Sequence, residues 1–221
     1  MHRATASTEP RRRRGRPRKD QTQPDAPRAR LLRQGVAILT EKGFSAVGIE
    51  EILAAAGVPK GSFYHYFDTK ESFGLALIDA YADFFAKKLD RWFTDEERRP
   101  LDRLRDFIAD ARDGMARFDY RRGCLVGNLG QEMGVLPEPF RDRLAVVLRD
   151  WEERTARCLR AAQDAGEIPE DVDCAMLAQF FWIGWEGAVL RAKLERDPAA
   201  LDTFAEGYLA MIRAGNQEGP L

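Results

Sequence analysis

Apolar side chains recur along this chain at intervals of three and four residues, and no stretch alternates long enough to suggest a strand. Leu31, Leu32, Gly35, Val36, Ile38 and Leu39 trace one stripe of a helix that begins at Ala26 and stops near Gly43. A short helix fits Ile49 to Ala56, broken by Gly57, Val58 and Pro59, and a second short one fits Lys60 to Tyr66. Asp68 or Thr69 can then cap a long helix from Lys70 to about Phe93. Pro100 restarts the pattern, with Leu101, Leu104, Ile108, Ala111 and Met115 at helical spacing before Gly123 interrupts it. A helix of roughly Leu125 to Met133 follows, then a long one from Phe140 to Ala165, entered through Pro137 and Pro139 and stopped by Gly166. Two more fit Asp171 to about Glu195 and Pro198 to about Ala214. The expectation is an all-α fold of about nine helices, without internal repeats.

Two short helices joined by a three-residue turn are the geometry that lowers a second helix into the major groove of DNA. Ile52, Leu53, Ala56, Val58 and Phe63 supply a small core for such a pair, and Ala54 to Ala56 keep side chains small where the helices cross. Gly57 gives the turn its backbone freedom and Pro59 fixes the entry to the second helix. That helix carries Lys60, Ser62, Tyr64, His65 and Tyr66, side-chain types that contact phosphates and base edges. For the two tyrosines, packing in the domain core is the competing assignment, since a buried hydroxyl needs a partner. A catalytic base is the competing assignment for His65, but no carboxylate or nucleophile stands beside it in an orienting pattern.

Charge sharpens this picture, because a net −1 conceals two unlike ends. Residues 1 to 70 hold 14 Lys/Arg against 7 Asp/Glu, and the remainder holds 21 against 29. A basic front and an acidic back suit a protein that offers one end to a polyanion. Residues 1 to 24 contain almost no apolar side chains and are expected to form a disordered basic arm. Within it, Arg14-Gly15-Arg16-Pro17-Arg18-Lys19 resembles the AT-hook core, in which Arg14 and Arg16 would enter a narrow A·T-rich minor groove. Unspecific phosphate binding by counterion release is the alternative for the same cations. The helix pair then occupies residues 25 to 70 and a second domain residues 71 to 221.

Other chemistries find little support. Cys124, Cys158 and Cys174 are too scattered for a disulfide framework, and with only His2 and His65 in the chain no metal site is expected. No apolar run has the length of a bilayer span, so a cytoplasmic protein without a membrane partner is expected. An enzyme would need a nucleophile and base pair, a metal set or a glycine-rich phosphate loop, and none is present; no cofactor is expected.

The run Ala56-Gly57-Val58-Pro59-Lys60-Gly61-Ser62-Phe63-Tyr64-His65-Tyr66-Phe67, followed by Lys70-Glu71, resembles the DNA-binding signature of the TetR family of transcriptional regulators. The dense match covers about residues 28 to 75. It implies that Lys60 and Gly61 approach bases, that Tyr64, His65 and Tyr66 hold phosphates or bases, and that Lys70 pins a phosphate. It further implies a homodimeric repressor released from double-stranded operator DNA by a small-molecule effector. Val47 and Gly48 depart from the Thr or Ser that the family often places there, and Glu50 stands where a basic residue would help. An architectural DNA-binding protein that answers to no effector is the competing function.

In the acidic half, the helix through Met176, Leu177, Phe180, Phe181, Trp182, Ile183, Trp185, Ala188 and Val189 is apolar nearly all round, which requires cover on more than one side. With Leu201, Phe204, Tyr208, Met211 and Ile212 it resembles the family's four-helix dimer interface. Polar groups among apolar neighbours, Asn128, Gln131, Glu132 and Glu186, are the candidate ligand contacts, with Trp92, Phe107, Met115, Trp182 and Trp185 as candidate pocket residues. Cys124 follows Arg121 and Arg122 just before a helix, an arrangement that would lower its pKa and favour the thiolate; a buried inert thiol is the alternative. The stretch Gly123-Cys124-Leu125-Val126-Gly127-Asn128 and the later Trp185-Glu186-Gly187-Ala188 resemble the TetR subgroup that responds to acrylate or other small unsaturated, electrophilic compounds.

Overall fold

A computed structural model describes residues 26–214, and the basic arm with Arg14 and Arg16 lies outside them. Nine helices and no strand occur among the described residues: α1 (Ala26–Lys42), α2 (Ile49–Ala56), α3 (Lys60–Tyr66), α4 (Lys70–Phe93), α5 (Pro100–Ala116), α6 (Leu125–Gln131), α7 (Glu138–Asp164), α8 (Cys174–Glu195) and α9 (Ala199–Ala214). The first three form a small N-terminal helical bundle with a helix-turn-helix, and the rest a larger helical domain. None of the described helices is long and apolar enough to cross a membrane.

Local chemistry explains the sharp element boundaries at the front. Gly57 ends α2 in the left-handed region at φ +60°, donating its N–H back to Ala54 and Leu53. Thr69 accepts from the Ser72 N–H while the Ser72 hydroxyl oxygen accepts from the Thr69 N–H, a reciprocal cap that starts α4 at Lys70. Boundaries drift where such signals compete. α8 starts at Cys174 and not at Asp171, because Asp173 caps it by accepting from the Ala175 and Met176 N–H groups at 2.8 and 3.1 Å. α5 already ends at Ala116, and Asp119 and Tyr120 turn the chain with left-handed φ values of 51° and 53°.

Helix α4 joins the two halves. Its first turns pack Phe73 and Leu77 on α1 at Gly35, and Gly74 lets Phe44 and Phe140 approach the α4 backbone. Further along, Phe85 meets Trp151 of α7 with ring centroids 4.4 Å apart, and Trp151 meets Trp182 of α8 at 4.9 Å. The Trp182 indole N–H donates to Thr155 Oγ1 at 2.9 Å, so this buried aromatic stack leaves that donor satisfied. One continuous apolar core results, running from under α3 to α9.

Helix α8 has two apolar faces, as its sequence demanded. Leu177, Phe181, Trp182, Trp185, Ala188 and Ala192 are buried in the core. Met176, Phe180, Ile183, Leu190 and Leu194 form a second stripe that is exposed on the single chain, continued by Met211 of α9.

Candidate functional site

The candidate recognition element is α3. Phe63, fully buried, anchors it against the rings of Phe67 and Phe73, at 5.4 and 5.3 Å, and turns the opposite face to solvent. Lys60, Gly61, Tyr64 and His65 are exposed on that face, while Ser62 and Tyr66 are half-buried. Tyr64, at 48% exposure, is not a core residue. Its ring packs edge-on against Phe63 at 5.3 Å, leaving the rest of the ring directed outward.

Two lysines are placed differently from the sequence expectation. Lys60 Nζ pairs with Glu50 Oε1 of α2 at 2.7 Å, an exposed ion pair that raises the lysine pKa and lowers that of the acid. Glu50 therefore restrains a recognition-helix cation in place of adding one. Lys70, expected to reach for a phosphate, instead donates to the Phe44 carbonyl at 2.8 Å and lies 4.4 Å from the Phe44 ring centre. Partial burial lowers its pKa, and the contact ties α4 to the turn before α2. Val47 is buried and Gly48 caps α2 without a side-chain bond, so neither offers a backbone-contacting hydroxyl.

The larger domain contains a cleft of about 400 Å³ between α1, α4, α5, α8 and the connection into α6. Tyr81, Phe84, Phe85, Met115, Phe118 and Trp185 give it an aromatic and apolar lining; Arg33, Lys88, Arg117 and Arg122 add cations. Lys88 is paired with Asp110 at 2.8 Å, and Arg122 lies 4.0 Å from the Phe118 ring centre. Arg33 and Arg117 have no ion pair among the described residues. A second cavity of about 250 Å³ lies between α6 and α8, lined in part by Asn128, Gln131, Ile183, Leu190 and Lys193. Cys124 and Glu186 belong to the walls of both.

Those two residues form a buried polar cluster with Tyr81. Burial pushes the Glu186 carboxyl up to about 7, and contact with the Cys124 thiol only partly opposes it. Glu186 Oε1 is buried without a hydrogen-bond partner, and Oε2 packs so closely on Gly127 that a Cβ there would overlap it. Cys124 is itself buried, and burial together with the Glu186 carboxylate pushes its thiol well above the ordinary cysteine range. Of the two assignments open for Cys124, these surroundings favour the buried, protonated thiol: Arg121 and Arg122, whose proximity suggested a thiolate, are directed at Glu41, at 3.1 and 4.0 Å. All three cysteines are buried free thiols.

Of the expected pocket residues, Met115, Cys124, Trp185 and Glu186 line the cleft, and Asn128 and Gln131 line the second cavity. Phe107 and Trp182 are core residues behind the lining, and Trp92 sits near the end of α4 with its indole N–H toward Asp110 at 3.3 Å. Glu132 faces the N-terminal bundle instead: its carboxylate accepts from the Phe44 and Ser45 N–H groups, each at 2.7 Å. Beside it, Asn128 Nδ2 donates to the Leu39 and Thr40 carbonyls at 3.1 and 2.9 Å, and Lys193 Nζ donates to Thr40 at 3.1 Å. These bonds cap the end of α1 at the Thr40 carbonyl and add a second donor to the Leu39 carbonyl, which also accepts from the Gly43 N–H. Gly43 makes the contact possible, because its φ of +83° and missing side chain leave room for the Glu132 carboxylate. The cationic lining residues carried no periodicity signal. Phe84, 62% exposed, completes the lining from α4 and was not singled out in the sequence.

Residues 31–77 match the family described as bacterial regulatory proteins, tetR family, and residues 100–208 match the tetracyclin repressor-like C-terminal domain. The transcriptional regulator AcuR of Cereibacter sphaeroides is 57% identical over 198 residues, 89% of each chain. The HTH-type transcriptional repressor DhaR of a Mycobacterium species is 32% identical over 180 residues, 80% of this chain and 87% of that one. The crystal structure of a regulatory protein TetR from Rhodobacter sphaeroides superposes with a TM-score of 0.81 at 56% identity, covering 83% of this chain and 97% of the other. These relatives are transcriptional regulators, not enzymes. With an exposed recognition helix, an all-helical second domain and both halves matched in sequence, this chain belongs to the TetR family of transcriptional regulators.

Proposed function

We propose that this regulator is a cytoplasmic homodimeric repressor which a small unsaturated carboxylate, such as acrylate, releases from its operator by entering the cleft. The observation that carries this reading is the double engagement of α6. Cys124, at its N-cap, walls the cleft, while Asn128, at its middle, and Glu132, at its C-cap, hold α1 and the turn before α2. A ligand that displaces the first end disturbs the second, and the recognition helices of the two subunits lose their match to successive major-groove half-sites. Residues 25–70 then act as the reading domain and residues 71–221 as the sensing and pairing domain.

The cleft chemistry supports a small carboxylate. Arg33 and Arg117 offer charge-assisted hydrogen bonds, and the aromatic floor accommodates a short unsaturated chain. The high pKa of Cys124 argues for non-covalent sensing. The exposed stripe Met176, Phe180, Ile183, Leu190 and Leu194 supports pairing by a second copy through α8 and α9. The cations of residues 1–19 add phosphate contacts, so their deletion lowers operator affinity and flattens its dependence on salt.

Fluorescence anisotropy on the footprinted chromosomal site tests the assignment. Lys60→Ala combined with Tyr64→Ala abolishes specific binding, acrylate releases the wild-type protein, and Cys124→Ser still responds. Operator binding indifferent to acrylate would instead favour an architectural role without effector control. Loss of the response in Cys124→Ser alone would restore covalent sensing.

A further inference from the structure

We propose that Glu186 meets the effector as a neutral carboxylic acid, so that filling the cleft with an anionic ligand takes up one proton at this residue. This rests on the reading of the cleft as the effector site and adds a regulatory consequence, namely that the repressor integrates effector concentration with pH.

The geometry leaves Glu186 little choice. Its carboxyl lies in the wall shared by the two cavities, with Oε1 buried and unpartnered and Oε2 pressed on Gly127. No cation balances it among the described residues. From α4, Tyr81 faces it, while Lys88 is engaged by Asp110. From the α5–α6 connection come Cys124, whose thiol stays protonated across neutral pH, and Arg122, which is directed at Phe118 and Glu41. From α1, Thr40 bonds within its own helix, and Arg33 is exposed at the cleft edge, as is Arg117 at the end of α5. Asn128 of α6 is occupied by α1 carbonyls, and Lys193 of α8 donates to Thr40 and Asn128.

An ionised carboxylate in this position already lacks solvation, which is why the group titrates near neutrality. A second negative charge brought into the same cleft cannot coexist with it at low cost, as with paired carboxylates that share one site. Protonation removes the repulsion and converts Oε1 or Oε2 into an O–H donor, which the incoming carboxylate can accept. The proton comes from solvent and returns to it when the ligand leaves, so nothing is oxidised and no covalent bond to the ligand forms. Because Glu186 contacts Gly127 and Cys124 at the base of α6, the same event acts on the element that holds α1.

Isothermal titration of the full-length dimer with acrylate, in buffers of different ionisation enthalpy, reads the proton directly. Uptake approaching one proton per subunit is expected at pH 8, with a smaller value at pH 6.5 where Glu186 is already partly protonated. The acrylate Kd should rise about tenfold per pH unit above the Glu186 pKa. Glu186→Gln should bind acrylate with no proton uptake and a flat pH profile, an outcome that a merely structural role would not produce. Acrylate binding whose heat is independent of buffer refutes the proposal while leaving the effector reading intact. Proton uptake that persists unchanged in Glu186→Gln assigns it to another group and refutes the proposal as well. Absence of any acrylate binding overturns the effector reading itself, and the proposal falls with it.

Discussion

Glu132→Ala is the sharpest perturbation of the link between the two halves. Its carboxylate accepts two backbone N–H donors at 2.7 Å, one from the part-buried Phe44 and one from the exposed Ser45. A hydrogen bond to a charged group contributes about 1.5–3 kcal/mol, but water replaces the exposed one at small cost. The net loss is therefore about 2–3 kcal/mol, most of it from the Phe44 donor left without a partner. Because the contact exists only while α6 is docked on the N-terminal bundle, the docked and released forms shift relative to one another by roughly 30- to 150-fold. Operator affinity falls by less than that, since it scales with the competent fraction, which starts near one. On the proposed effector reading the ligand works against the whole bias, so the acrylate concentration that half-releases operator falls by up to the full factor. Anisotropy titrations of wild type, Glu132→Gln and Glu132→Ala against acrylate measure it, with the Gln variant intermediate because one amide oxygen still accepts. An Ala variant with the wild-type acrylate midpoint and unchanged thermal stability would show that the contact carries no coupling.

Other outcomes follow from single contacts. Glu50→Gln frees Lys60 and removes a negative charge from the DNA-facing side, so binding to unrelated duplex strengthens more than operator binding; equal changes on both duplexes would refute this. Thr155→Val leaves the buried Trp182 indole N–H without its acceptor and costs about 1–3 kcal/mol, read as a lower denaturant midpoint at unchanged m-value. Glu186 has a native pKa of about 7 against an ordinary 4.5, so the native state holds more protons between those values and loses stability as pH rises through that window. Glu186→Gln is accordingly more stable than wild type at pH 8, by on the order of 3 kcal/mol, with the gain fading toward pH 4.5. Equal stability of the two at pH 8 would mean that the wild-type carboxylate is well solvated.

What the sequence decided by itself was local. The ends of α2 and α3 and the start of α4 were legible because Gly57, Pro59 and Thr69 impose backbone conformations and hydrogen bonds within a few residues of themselves. The recognition face was legible for a related reason: a seven-residue helix with one large buried residue, Phe63, has only one way to turn its polar side chains. The two apolar faces of α8 could also be read, since residue type alone shows that a single covered stripe does not suffice. Tertiary structure alone decided what depends on residues far apart in the chain. Burial is a property of the surroundings, so the thiol of Cys124 rose in pKa where its sequence neighbours pointed the other way. Glu132 and Lys70, read from the sequence as ligand and DNA contacts, became ties between α6, α4 and the turn at Phe44 because the packing of α1 on α4 and α6 brings that backbone within their reach. The cleft follows the same logic: its walls come from α1, α4, α5 and α8, and no periodicity within one helix records which of its residues will face another.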